Sequence, residues 1–285
     1  MPKHLARPPA APRRGVHDLV IVMATVGLSL GFLLFPAAAN WVNARAHAEE
    51  ISTWTQTITN AHPTEIAELL EAAEQYNERL AAGLEGLVDE WDETYRAVLS
   101  QPGTRVISRV VIPAINVALP IFHGTADDVL DLGVGHLYGT SLPVGNANNT
   151  FGTHSVITAH SGVDTNALFN DLHDLAVGDI FMVDTAGSHM FYQVDEITIV
   201  PEDILKTFDA KPGQDLVTLL TCTPIGINSH RLLVRGTRYF PEQVQAEKII
   251  AHTPQGEQFP TFALAWATPT LISGGIWHLA TKKRR

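Results

Sequence analysis

Residues 217–236 read Val-Thr-Leu-Leu-Thr-Cys-Thr-Pro-Ile-Gly-Ile-Asn-Ser-His-Arg-Leu-Leu-Val-Arg-Gly. The apolar, β-prone run before Thr221 and the second run Leu232–Val234 flank the turn residues Pro224 and Gly226. That pattern is strand, loop, strand. It places Cys222, the one cysteine of the chain, at the end of the first strand and Arg231 at the start of the second. A thiol facing a guanidinium across a short loop can be a reactive site. Arginine keeps its charge and offers several donors to a developing oxyanion or a peptide carbonyl. A lone cysteine is otherwise a small buried hydrophobe. Its place between Thr221 and Thr223 at a strand end, rather than in mid-strand, favours the reactive reading. Strand alternation puts Arg235 on the same face as Arg231, as a fallback electrophile.

Further apolar runs precede this hairpin, separated by Gly, Pro and Asn. They are Val106–Ile112, Ala118–Phe122, Ser155–Ala159, Ile180–Val183 and Phe191–Val200. With Val217–Leu220 and Leu232–Thr237 they predict a mainly β domain, a closed or partly closed barrel of seven to eight strands. Helix is expected only in short pieces such as Ala126–Leu132 and Thr165–Asp171. Among 13 histidines, His160 stands out. The strand Val156–Ala159 delivers it to a turn at Gly162, so its ring sits at a strand end, as Cys222 does. The chemical rival is zinc at His154 and His160 with His136 or His123, but such spacing matches no regular zinc pattern. His123, His136 and His230 are expected to be hydrogen-bonded structural groups.

Outside this region the pattern changes. Residues 1–17 are basic and proline-rich, with no apolar period. Leu19–Ala39 runs without a charge and is long enough to cross a bilayer. Basic residues precede it, so the N-terminus is expected in the cytoplasm. Pro36-Ala37-Ala38-Ala39 leaves open a signal-peptidase site instead. A second uncharged run, Phe259–Ala280, is followed by Lys282-Lys283-Arg284-Arg285. Two spans with basic ends on one side place the middle of the chain outside the cell. Those ends hold eight of the 19 Lys+Arg, and all 30 acidic residues but Asp18 lie between them, so the middle carries a net charge near −18. Such a domain is a poor match for nucleic acid, which needs a basic face.

From about Ala46 to Leu87 the period is helical, broken at His62-Pro63-Thr64, with Thr64 expected as an N-cap. The segment order is therefore a basic tail (1–17), a membrane helix or signal anchor (18–39), helices (40–104), the β-barrel (105–240), a linker (241–258), a second membrane helix (259–280) and a basic tail (281–285).

Thr218-Leu219-Leu220-Thr221-Cys222 resembles the Thr-Leu-x-Thr-Cys motif of sortases, the cysteine transpeptidases of Gram-positive surfaces. Asn228–Gly236 is similar to the arginine strand of the pilus-building class C. Cys222 and Arg231 stand nine positions apart within that run. Thr158-Ala159-His160-Ser161-Gly162 resembles the family's histidine segment, with Ala159 for a glycine and Ser161 for an arginine. Ile112–Ile121 and Gly133–Leu137 also look like class C segments, so the resemblance covers about residues 105–240. It implies Cys222 as nucleophile, His160 as proton carrier and Arg231 as oxyanion or substrate-backbone donor. It implies no metal or organic cofactor. It further implies cleavage of a Leu-Pro-x-Thr-Gly (LPXTG) sorting signal between Thr and Gly, and transfer to a lysine amine of a pilin subunit. In class C sortases a lid carrying Asp-Pro-aromatic covers the site. Asp89 and Trp91 match that spacing, although Glu90 replaces the proline, and Asp92 or Glu93 are alternative acids. A wall-anchoring sortase using a peptidoglycan amine, and a surface scaffold with an inert Cys222, remain as other readings.

Overall fold

The computed structural model describes residues 16–83, 92–145, 151–163, 166–202 and 208–252. The chain divides into two compact units, Met1–Trp41 with Glu257–Arg285, and Val42–Gly256. The first helix, α1 (Val16–Asn60), runs through the junction. It is long and apolar enough to cross a membrane, and only 6% of its most apolar window is buried. Residues 259–280, the second expected span, lie outside the described residues.

In the second unit, α1 ends at Asn60, and α2 (Pro63–Ala81) follows after a two-residue break. The cap is His62 rather than Thr64. Its ring accepts from Thr64 N, and Glu65 accepts from His62 N at 3.0 Å. Pro63 fixes φ and brings no N–H, so it suits the first helical position, and the cap falls on the residue before it, two positions ahead of Thr64. Ala73, Tyr76 and Asn77 form the buried face of α2. Asn77 donates to Leu142 O at 3.0 Å and accepts from Leu142 N at 2.7 Å, locking the helix to the barrel wall. On α1, Trp54 is buried with Val106, Phe122 and Val129.

Eight strands close into a barrel: β1 (Ser108–Ile112), β2 (Val117–His123), β3 (Val134–His136), β4 (Thr153–Thr158), β5 (Ile180–Thr185), β6 (Ser188–Pro201), β7 (Asp215–Thr223) and β8 (His230–Tyr239). Their order around the barrel is β1-β2-β3-β4-β7-β8-β6-β5. Closure leaves no free sheet edge. Alternate residues point inward: Ile157 on β4, Val217 and Leu219 on β7, and Leu232 and Val234 on β8 all join the main core with Ile121, Phe181 and Tyr192. Burying such side chains contributes on the order of 1.5–3 kcal/mol each.

Besides the cap at His62, three features depart from the sequence reading. The three-residue β3, whose middle residue is Gly135, is too short to stand out as an apolar run. The helix expected over 165–171 is absent from the described part of that stretch, which instead turns and then forms a 3-10 turn at Leu172–Asp174. The third is the segment 241–258, expected as a linker. It carries a helix over Gln243–Ile250, named α5 here after α3 (Glu93–Ala97) and α4 (Asp127–Leu130). Helix α5 forms because Ala246, Ile249 and Ile250 have an apolar patch to cover, made by Val111, Met182 and Phe191.

Candidate active site

Strands β4, β7 and β8 are consecutive in the barrel, and their ends make the site. In the antiparallel β7–β8 ladder Cys222 and Arg231 are direct register partners. Directly opposed residues share a face, with Cβ atoms about 4.5–5.5 Å apart. Their neighbours Thr221 and Leu232 are buried, so alternation turns Cys222 and Arg231 to the outer face. Strands β4 and β7 run parallel, with Thr158 level with Leu220. One more ladder bond, Ala159 N to Leu220 O at 3.2 Å, carries the pairing past the end of β4. His160 then comes level with Cys222 and, by the same alternation, on the same outer face. The fold thus brings together at one barrel rim three residues that span 72 positions of sequence, His160 to Arg231.

Two side chains tie the histidine loop to the cysteine strand. Thr221 Oγ1 donates to Ala159 O at 2.8 Å, and Ser161 Oγ donates to Cys222 O at 2.6 Å. The residue before the cysteine thus grips the residue before the histidine, and the residue after the histidine grips the cysteine carbonyl. The loop is further held by Phe169 N to His160 O at 3.1 Å and by Gly162 N to Asn170 Oδ1 at 2.7 Å. Gly162 has φ +77°, and a Cβ there would meet Ile225 at 2.6 Å, so only glycine suits this turn. Ser161, which stands where the resemblance expects an arginine, makes a bond that its sequence context does not reveal.

Cys222 is a free, half-buried thiol. It lines a cleft of about 270 Å³ with Ser161, Phe169, Asn170, His173, Thr221, Thr223, Pro224, Ile225 and Leu232. His160 and Arg231 are not part of that lining; they flank Cys222 through β4 and β8. The Arg231 guanidinium donates through Nη1 to Asn228 O at 2.8 Å and His230 O at 3.2 Å, and through Nη2 to Glu202 Oε1. Asn228 has φ +58°, a left-handed conformation that asparagine tolerates. Glu202 has no counterpart in the sequence reading. It follows β6, 29 positions before Arg231 in the sequence, and the β6–β8 ladder brings the two together.

The remaining candidates are accounted for individually. Arg235 is engaged by Asp195 and Glu196 and lies opposite Thr218, four residues down the strand from Cys222, or roughly 13 Å. It is therefore not a fallback for Arg231. His154 Nε2 bonds Thr218 Oγ1 at 2.8 Å, and burial lowers its pKa. His136 is buried between Tyr95 OH and Ser141 O, each at 2.8 Å. Among the described residues no group of His, Cys, Asp and Glu is arranged to hold a metal ion. Asp92 caps α3 by accepting from Thr94 N at 2.8 Å. Asp89 and Trp91 lie outside the described residues.

Known proteins agree with this architecture. A family model described as the sortase domain matches residues 110–239. Sortase C1 of GBS pilus island 1 is similar at 42% identity and TM-score 0.62, covering 69% of this chain and 94% of that one. The structure of Clostridium perfringens sortase C with the C-terminal cell wall sorting motif is similar at 37% identity and TM-score 0.60, covering 68% of this chain and 100% of that one. Sortase A of Streptococcus agalactiae is 29% identical over 121 residues, 41% of this chain. The chain spans 47% of that relative's length. The chain belongs to the sortase family of cysteine transpeptidases, in its class C.

Proposed function

We propose that this chain is a membrane-anchored, pilin-polymerising sortase with Cys222, His160 and Arg231 as its catalytic residues. The observation that supports this most directly is their convergence on the outer rim of three neighbouring strands. The Cys222 thiolate attacks the Thr–Gly carbonyl of an LPXTG-like sorting signal. Arg231 donates to the oxyanion or to the substrate backbone. His160 protonates the departing glycine amine, leaving a thioester between Cys222 and the threonine acyl group. His160 then takes the proton of an incoming lysine amine, which attacks that thioester and frees the thiol. Cysteine, histidine and arginine suffice for this sequence of bond changes, so no metal or organic cofactor is invoked.

The apolar part of α1 is the anchor, and residues 259–280 form a second one that returns the basic C-terminus to the cytoplasm. The barrel then faces outward, where LPXTG-bearing pilin subunits and surface proteins emerge. Asp89 and Trp91 act as a lid that slows access to the thiol. Asp89→Ala or Trp91→Ala is expected to speed alkylation of Cys222, and an unchanged rate in both variants removes them from the mechanism.

The reading as a whole is tested by mass spectrometry of the purified protein with a sorting-signal peptide and candidate amines. A covalent adduct ending in threonine, resolved by a pilin lysine, is the expected result. Capture by a peptidoglycan amine alone would turn the reading to wall anchoring. No adduct on wild-type protein would remove the transpeptidase reading.

A further inference from the structure

The Arg231 guanidinium is held from three sides. Both of its bonds to main-chain carbonyls, Asn228 O and His230 O, use Nη1. The one bond to a carboxylate, from Glu202, uses Nη2. A guanidinium has five N–H donors in a rigid plane. Three are therefore committed, and the Nε–H and one Nη2–H have no acceptor among the described residues. A planar fork fixed at both Nη atoms leaves its remaining edge aimed in one direction, which is what a donor to a developing oxyanion requires.

Glu202 is built into its place rather than met by chance. In the β6–β8 ladder Val200 is the register partner of Arg231, and Pro201 of His230. Glu202 comes directly after Pro201, the last paired residue of β6, and its side chain reaches the Arg231 guanidinium from there. Its backbone N–H reaches Ser229 O at 3.4 Å, which prolongs the ladder by one step. The Arg231 side chain is 15% exposed and that of Glu202 63%. An ion pair this open adds little to stability, but it restricts the rotation of a guanidinium that must be aimed.

We propose that Glu202 is the positioning residue for Arg231, orienting its free N–H edge toward the reacting carbonyl at Cys222. This rests on the reading of Arg231 given under Proposed function. The carboxylate does not touch substrate; it acts through Arg231 alone. Removing it leaves the thiol, the imidazole and the fold in place but lets the guanidinium rotate out of line.

The experiment compares wild type with Glu202→Ala, Glu202→Asp and Glu202→Gln, and repeats Glu202→Ala in an Arg231→Ala background. Each protein is assayed for cleavage of an LPXTG peptide and, separately, for alkylation of Cys222 by iodoacetamide. Alkylation forms an S–C bond as C–I breaks and passes through no oxyanion, so it reports the thiol without Arg231. Glu202→Ala is expected to lower kcat roughly tenfold with KM changed less than about twofold, and to leave the alkylation rate and Tm unchanged. Glu202→Asp keeps the charge but shortens the reach, so it is expected to fall with Ala. Glu202→Gln keeps the reach and the acceptor oxygen, and is expected to recover most of the rate. In the Arg231→Ala background Glu202→Ala should cost nothing further.

Full activity in Glu202→Asp with loss in Glu202→Gln would replace positioning by a general effect of charge. Equal losses with and without Arg231, or a parallel fall in alkylation, would overturn the proposal, as would unchanged kcat in Glu202→Ala. Wild-type protein that forms no thioester with the peptide would sink the transpeptidase reading itself, a result distinct from an active wild type indifferent to Glu202.

Discussion

Two strand-end clusters of this barrel carry histidine, and they have opposite surroundings. On β2 and β3, His123 and His136 are register partners. Helix α3 closes over them. Tyr95 is fully buried there, bonding His136 Nδ1 at 2.8 Å and receiving Gly124 N–H at 3.2 Å. Its ring meets that of His123 edge-on at 4.7 Å. On β7 and β8, Cys222 and Arg231 are register partners too, but with no such cover among the described residues and with a cleft opening at the thiol. Burial pushes His123 down to about 3 and His136 down to about 4, so both are neutral at physiological pH. Rings held neutral in this way are packed structural groups, and His123 Nε2 has no hydrogen-bond partner among the described residues, while His160 is half-buried at the open rim. What separates the two kinds of histidine is the helix that covers one pair, and residue type carries no trace of it.

The most severe way to break this comparison is to exchange the roles. Cys222→Ala is expected to abolish thioester formation, and His160→Ala or Arg231→Ala to lower kcat/KM by on the order of 10²–10⁴. His136→Gln is expected to stay within about threefold of wild type at a temperature where it is folded. Peptide-cleavage kinetics decide this, and a folded His136→Gln as inactive as His160→Ala would erase the distinction.

Acid provides the next test. The folded values of His123 and His136 lie below the 6.5 of an exposed histidine, so the unfolded chain takes up protons first as pH falls. Their contribution is complete above about pH 6.5 and is lost as pH drops toward 4, at about 1.4 kcal/mol per pH unit for each histidine. Denaturant midpoints between pH 7 and 5 should fall accordingly, with a shallower slope in His136→Gln. A flat profile in wild type would show that these rings are not sealed.

Smaller effects sharpen the contrast. Tyr95→Phe leaves the His136 ring and Gly124 N–H short of a partner, at about 1–3 kcal/mol in equilibrium unfolding, with activity per folded molecule unchanged. Ser161→Ala is expected to cost about 0.5–1.5 kcal/mol or less in stability but to lower kcat/KM several-fold, because it releases the histidine loop from the Cys222 carbonyl. A Ser161→Ala variant with wild-type kinetics would limit the loop's anchor to Thr221.

Local chemistry determined much of this protein before any folding was considered. Apolar runs punctuated by turn residues specify strands whatever surrounds them, so β1, β2 and β4–β8 were legible. So was the rim hairpin, because Cys222 and Arg231 are joined by a short loop. The single uncharged stretch near the N-terminus marked α1 for the same reason. Three-residue β3 was not legible, because its strand character comes from pairing with β2 and β4. Nor was α5, which needs the patch at Val111, Met182 and Phe191 to cover. The partner of Arg231 was likewise out of reach. Twenty-nine positions separate Glu202 from Arg231, and only the long β6–β8 ladder makes them neighbours. Register and burial are properties of the closed barrel, and they decided which histidine is sealed, which carboxylate meets Arg231 and where the thiol meets solvent.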